Sequence, residues 1–212
     1  MAMVKKSALG CVGLLLACLL LCVLFRTLRT VIGVYTARRE PVGLYDLVID
    51  ASVFPLEWYT CLGPVRPPER ARGERLERDM LYAGFCPEGF DQGIGGAQHA
   101  VFEYGDELGA AVAFRWDFSR NEFSNRYTVS PWEAPEQWSY QSSVADRFKF
   151  ACAEIEPFDL GHVVWKCRAV SQYDEYVSYF SAQLSHMTLE DLERIVLAID
   201  ERMALYLGKD TE

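Results

Sequence analysis

The chain has 212 residues, half of them hydrophobic and 13% aromatic, with a formal net charge of −9. That supplies one packed domain plus an extra segment and excludes a largely disordered chain. Lys5, Lys6, Arg26, Arg29, Arg38 and Arg39 against Glu40 give residues 1–40 a net +5, which leaves −14 for residues 41–212; so acidic a body repels a phosphate backbone and excludes nucleic acid as the main partner.

Residues 1–7 read as a short tail. Ala8 to Phe25 follows, eighteen residues without charge or proline, and as a helix it spans about 27 Å, close to a bilayer core. A cleaved signal peptide has a shorter apolar run followed by a small-residue cleavage site. Here the run stops at Arg26 without an Ala-x-Ala pattern, so residues 8–25 are expected to be an uncleaved transmembrane helix with membrane lipid as its partner. Within it, Leu15-Leu16-Ala17-Cys18 resembles the lipobox of bacterial lipoproteins, which implies lipidation at Cys18. In those proteins a polar tether follows the cysteine, whereas seven more apolar residues follow it here.

Residues 26–43 read as a basic juxtamembrane segment and linker. Leu28, Val31, Ile32 and Tyr35 fall on one helical face, which lets the arginines lie at headgroup level. Pro41 and Gly43 mark the exit. The positive charges flanking the span slightly favour a cytoplasmic body. The even number of body cysteines, Cys61, Cys86, Cys152 and Cys167, favours the opposite side.

A single α+β domain is expected over 44–208, with 209–212 as a tail. Val65 to Gly84 is predicted as an exposed amphipathic helix, from the spacing of Leu76 and Met80 and a stop at Gly84. Ala100 to Phe118 is predicted as a hairpin turning at Gly105-Asp106, because Val112, Phe114, Trp116 and Phe118 alternate. The second hairpin contains Phe150–Cys167. Phe148, Phe150 and Cys152 share one face of its first strand; Val163, Trp165, Cys167 and Ala169 share one face of the second. A turn centred between Asp159 and Leu160 sets Cys152 directly opposite Cys167 on the apolar side, within disulfide reach. A one-residue slip in register removes that geometry. Four cysteines allow three pairings; the hairpin selects 152–167 and leaves 61–86.

"SQYDEYVSYFSAQLS" fits both helix and strand. Its aromatic content and a turn near Gln172–Asp174 favour a strand. Thr188 then opens a helix: Leu189, Leu192, Ile195, Val196, Ile199, Met203 and Tyr206 form a stripe, Asp191 completes the cap, and Gly208 ends it. The expected architecture is an antiparallel sheet of hairpins packed against this C-terminal helix and the earlier amphipathic one.

No G-x-S-x-G, H-E-x-x-H, phosphate loop or C-x-x-C occurs, so no residue is assigned a catalytic role and no cofactor or metal is called for. "GIGG" at 93–96 reads as a turn. His162 lies between Cys152 and Cys167, but three members without a close-spaced pair fall short of a structural zinc set. "SPWEAPEQWSYQSS" places Trp132, Trp138 and Tyr140 beside Glu133 and Glu136 in a loop. Aromatic faces with carboxylates suit a sugar or an organic cation, so Trp132, Glu133, Trp138 and Tyr140 are candidate ligand contacts, against the commoner role of pinning a loop to the core. The expected function is a membrane-anchored extracytoplasmic binding or accessory domain, non-enzymatic, whose partner is a neighbouring membrane protein, an envelope component or a small ligand. The alternatives are an envelope-acting, hydrolase-like enzyme built from scattered carboxylates and aromatics, and a cytoplasm-facing accessory subunit of a membrane complex.

Overall fold

The computed structural model describes residues 20–21, 43–67, 77–89, 96–156 and 162–209. The chain divides into two units, 1–41 and 42–212. The expected transmembrane helix and its juxtamembrane extension lie outside the described residues, except for Leu20 and Leu21, which are helical. Among the described residues no helix is long and apolar enough to cross a membrane.

The second unit is α+β. Six strands form one antiparallel sheet: β1 (Trp58–Val65), β2 (Asp79–Pro87), β3 (Ala97–Glu103), β4 (Arg147–Ile155), β5 (Val164–Tyr173) and β6 (Tyr176–Gln183). Their order is β1-β2-β3-β6-β5-β4. Three α-helices accompany them among the described residues: α1 (Leu44–Leu47), α2 (Glu107–Ala113) and α3 (Leu189–Leu207).

The β4–β5 hairpin has the expected register, with Arg147 opposite Gln172, Cys152 opposite Cys167 and Ile155 opposite Val164. Both backbone groups of Cys152 are engaged away from β5: its N–H donates to the Glu133 carbonyl at 2.9 Å, and its carbonyl accepts from the Glu133 N–H at 3.0 Å. Cys152 and Cys167 therefore form a non-hydrogen-bonded pair, the kind in which opposed residues approach most closely. Their Cα atoms are 4.0 Å apart and a disulfide joins them. The apolar face begins at Cys167, which is fully buried, whereas Val163 and Trp165 are exposed. β5 turns into β6 through Asp174-Glu175, Asp174 taking a positive φ of 51°, a short hairpin connection that aspartate tolerates.

One face of the sheet is closed by α3 and by the segment from Leu44 to Phe54. Thr188 and Asp191 cap α3 reciprocally, and Gly208 leaves it with φ 63°. Leu192, Ile195, Val196, Ile199 and Met203 are at most 2% exposed and meet Phe180, Ala182, Cys152 and Cys167. Each such aliphatic chain contributes about 1.5–3 kcal/mol by burial. Tyr206, expected on the same stripe, is exposed. Phe54 stacks between Trp58 and Phe85, with centroids 5.3 and 4.4 Å away. Buried Asp200 on α3 accepts the hydroxyls of Tyr140 and Tyr173.

Two sequence expectations are corrected. Residues 79–84 are not helical; they belong to β2, and residues 68–76 lie outside the described set. β2 is covered on both sides in part, so its apolar run hides the period-2 alternation that marks a half-exposed strand. Residues 107–118 are not the second strand of a hairpin. Asp106 accepts the Gly109 N–H at 2.7 Å and starts α2, which continues as a π-helix over Phe114–Glu122. Ala110, Ala113, Phe114 and Phe118 face inward, while Val112 and Trp116 are exposed. A helical face three and four residues apart outcompetes the strand alternation, because alanines support a helix and add little to a strand.

Candidate functional site

The other face of the sheet is only partly covered. In β2, β3, β6 and β5 the register lines up Tyr82, Ala100, Tyr179 and Val170 in one row and Gly84, Gln98, Ser181 and Arg168 in the next. The π-helix roofs one end: Phe118 meets Phe102 edge-on at 4.9 Å and Tyr179 at 6.1 Å. Its i→i+5 winding places Phe118 and Phe123, five residues apart, on the same buried face. Beyond that roof the small residues Gly84, Ala100 and Ser181 form a low floor between taller neighbours. The result is a trough of about 380 Å³ lined by Met80, Tyr82, Phe102, Phe118, Glu122, Lys166, Arg168 and Tyr179. It continues toward Cys61 and Cys86 as a cleft of about 290 Å³ that shares Tyr82, Gln98 and Lys166.

The far wall is β1. Its pairing with β2 slips between Thr60 and Leu62. This bulge lets Cys61 reach Cys86, whose direct partner is Tyr59, and a disulfide joins them at a Cα separation of 5.7 Å. Gly84 permits a close approach at this crossing, since a Cβ there would lie 3.2 Å from the Leu62 Cβ, a tight contact that Leu62 would have to relieve by a few tenths of an ångström.

Charge in the trough is concentrated on three residues. Arg168 donates from Nη1 to the Glu122 carbonyl, lies 3.5 Å from the Glu122 carboxylate and covers the Trp132 ring at 4.5 Å. Its Nε is a buried donor without a hydrogen-bond partner among the described residues. Tyr179 donates its hydroxyl to Glu122 at 3.3 Å, and burial above all pushes its pKa up to about 12. Lys166 projects from β5 two residues before Arg168, half-buried. Burial, then repulsion from Arg168, holds its pKa below the ordinary lysine range, against the pull of Glu122. No hydrogen bond or ion pair engages its ammonium among the described residues. A half-buried ammonium whose hydrogen-bond donors are left open, beside a floor of small residues, is suited to holding an anion.

The residues proposed from sequence as ligand contacts are divided by the sheet. Their segment runs along the outer edge of β4, through bridges at Thr128–Ile155 and Glu133–Cys152, and so covers an edge that would otherwise be open. Trp132 packs on the trough side, edge-on to Phe123 at 5.5 Å. Trp138 lies on the opposite side, stacked on Phe150 at 3.5 Å, and donates from Nε1 to the Tyr140 carbonyl at 2.9 Å. Tyr140 is held there by Asp200. Glu133 contributes its backbone to β4. Structure thus brings Trp138 and Tyr140 together and sets Trp132 apart from them. The four body cysteines are all consumed in disulfides, and among the described residues no cluster of three or more His, Cys, Asp or Glu is arranged to hold a metal ion.

Lys166, Arg168, Gln98, Glu122 and Tyr179 were not singled out by sequence. One signal for them was present: Lys166 and Arg168 flank Cys167, so the hairpin that buries the cysteine must send both cations to the other face. No protein family model, curated protein or solved structure matches the chain.

Proposed function

We propose that the chain is a single-pass membrane-anchored binding domain working on the extracytoplasmic side, with the trough as its ligand site. The observation that carries this reading is the trough itself: a partly roofed hollow, polar and apolar in similar measure, beside a lysine ammonium that makes no hydrogen bond or ion pair among the described residues. The two disulfides support the location, since such bonds persist in oxidising compartments and are rare in the cytosol. The apolar run at residues 8–25 supports the anchor. A binding role fits better than a catalytic one because Glu122, the carboxylate in the trough, is already engaged by Arg168 and Tyr179.

The location is tested on cells expressing the full chain. Thiols are blocked at lysis, the membrane fraction is isolated, and disulfides are mapped by mass spectrometry, with external protease digestion of intact cells in parallel. The expected result is membrane-bound protein with bonds 61–86 and 152–167 and a body digested from outside. Free body thiols, with a body protected until the membrane is broken, would overturn it.

A further inference from the structure

We propose that the trough selects a small amphipathic carboxylate, its anionic end against Lys166 and its apolar body over Met80, Phe102 and Phe118. This rests on the trough being the ligand site.

Three observations give the chemical class. The first is charge. Lys166 and Arg168 against Glu122 leave the trough one net positive charge, in a body whose residues 41–212 sum to −14. An anion is repelled by most of the surface and attracted here. One net charge matches a carboxylate; a phosphate monoester would bring about two. The second is unsatisfied capacity. The Lys166 ammonium has no hydrogen-bond partner among the described residues, and Arg168 Nε is a buried donor without one. The Lys166 ammonium thus keeps its donors for an incoming acceptor, and a hydrogen bond between two charged groups is stronger than one between neutral groups. The third is shape. Polar side chains gather toward one end of the trough, at Gln98, Arg168 and Lys166, while Met80 and Phe102 pair at the other. A ligand with one charged end and one apolar end satisfies both. A volume of about 380 Å³ lies near the lower end for small-molecule sites, roughly 300–1,000 Å³, which favours a compact acid over a two-chain lipid.

The test uses the full chain in nanodiscs of zwitterionic lipid and three probes of matched skeleton: 4-phenylbutyrate, 4-phenylbutanol and 4-phenylbutylamine. Affinity is measured by calorimetry. Occupancy of the trough is read as protection of Lys166 from acylation, mapped by mass spectrometry. The carboxylate is expected to bind at least tenfold more tightly than the alcohol and to protect Lys166, and the amine not to bind. Lys166→Met is expected to weaken the carboxylate at least tenfold with an unchanged thermal midpoint, and Lys166→Arg to restore most of the affinity. Equal binding of the three probes, with Lys166 protected by each, overturns the carboxylate assignment and leaves the trough as a ligand site. Failure of every probe to bind overturns both. Undiminished carboxylate binding by Lys166→Met overturns the role of that lysine and with it the proposal.

Discussion

His99 lies on β3, fully buried, with both ring nitrogens engaged. Nδ1 accepts the Ile49 backbone N–H at 3.2 Å, so the ring proton sits on Nε2, which donates to Ser178 Oγ at 2.9 Å. The neutral tautomer thus ties the Leu44–Phe54 segment to the middle of the sheet. Protonation would set two donors face to face at Nδ1 and place a charge in the apolar layer. Burial first, then the positive charge of Arg202, pushes the pKa down to about 3. The unfolded chain takes up this proton near pH 6.5 and the folded chain does not. The stabilisation is complete above pH 6.5 and is lost as pH falls toward 3, at about 1.4 kcal/mol per pH unit. Between pH 6 and 5 most carboxylates stay ionised, so His99 dominates the slope there. Urea unfolding across that range is expected to show it, and His99→Gln to flatten it. An equal slope in the variant would assign the acid sensitivity elsewhere.

A single side chain caps the helix that leads into the roof of the trough. Asp106 is extended and accepts the Gly109 N–H, which satisfies one of the free donors at the start of α2. Asp106→Ala is expected to cost about 1 kcal/mol in urea unfolding, and Asp106→Ser to recover most of it; equal losses in the two would show that the carboxylate acts other than as a cap. The same residue explains what the sequence disclosed. Asp106 followed by Glu107 is a helix-start signal, yet the strand reading took Gly105-Asp106 as a turn because the alternation at Val112, Phe114, Trp116 and Phe118 matched period 2. Two templates fitted one short segment, and only the sheet packed beneath Phe114 and Phe118 separates them. The Cys152–Cys167 hairpin was legible because both faces of its strands were marked, by cysteine and phenylalanine on one side and by cations on the other. The C-terminal helix was legible for the same reason, with a cap, a stripe and a stop. The trough was not, since its floor needs β2, β3, β5 and β6 side by side, and the β3–β6 pairing spans the whole stretch between two hairpins. Periodicity records local faces and carries nothing about which distant strands adjoin.

At the scale of the molecule, the two disulfides occupy equivalent places. The sheet ends in β1 on one side and β4 on the other, and each edge strand is joined covalently to its inner neighbour. β1 has one partner strand, and β4 is backed on its outer side only by isolated bridges, so both bonds act toward the ends of the sheet, where pairing is weakest. By loop-closure entropy alone each contributes about 3 kcal/mol or slightly more. Their surroundings nevertheless differ. Cys152 and Cys167 are 3% and 0% exposed, on the face closed by α3. Cys61 is exposed at the bulge, on the face that carries the trough. A thiolate must reach a sulfur to exchange with it. It finds the 61–86 bond at the surface and reaches the 152–167 bond only after the hairpin opens beneath the helix. Native protein treated with dithiothreitol at neutral pH, quenched with an alkylating agent and analysed by mass spectrometry, is expected to lose 61–86 at least tenfold faster. Equal rates would mean that one opening event exposes both bonds, and that β1 is not independently mobile. Selective loss would free β1, the far wall of the cleft that continues the trough, while the core under α3 stays closed, so carboxylate affinity is expected to fall before the thermal midpoint of the core does. That order of events would place the ligand site on the less stable half of the sheet, where the bond at Cys61 holds the wall of the adjoining cleft in place.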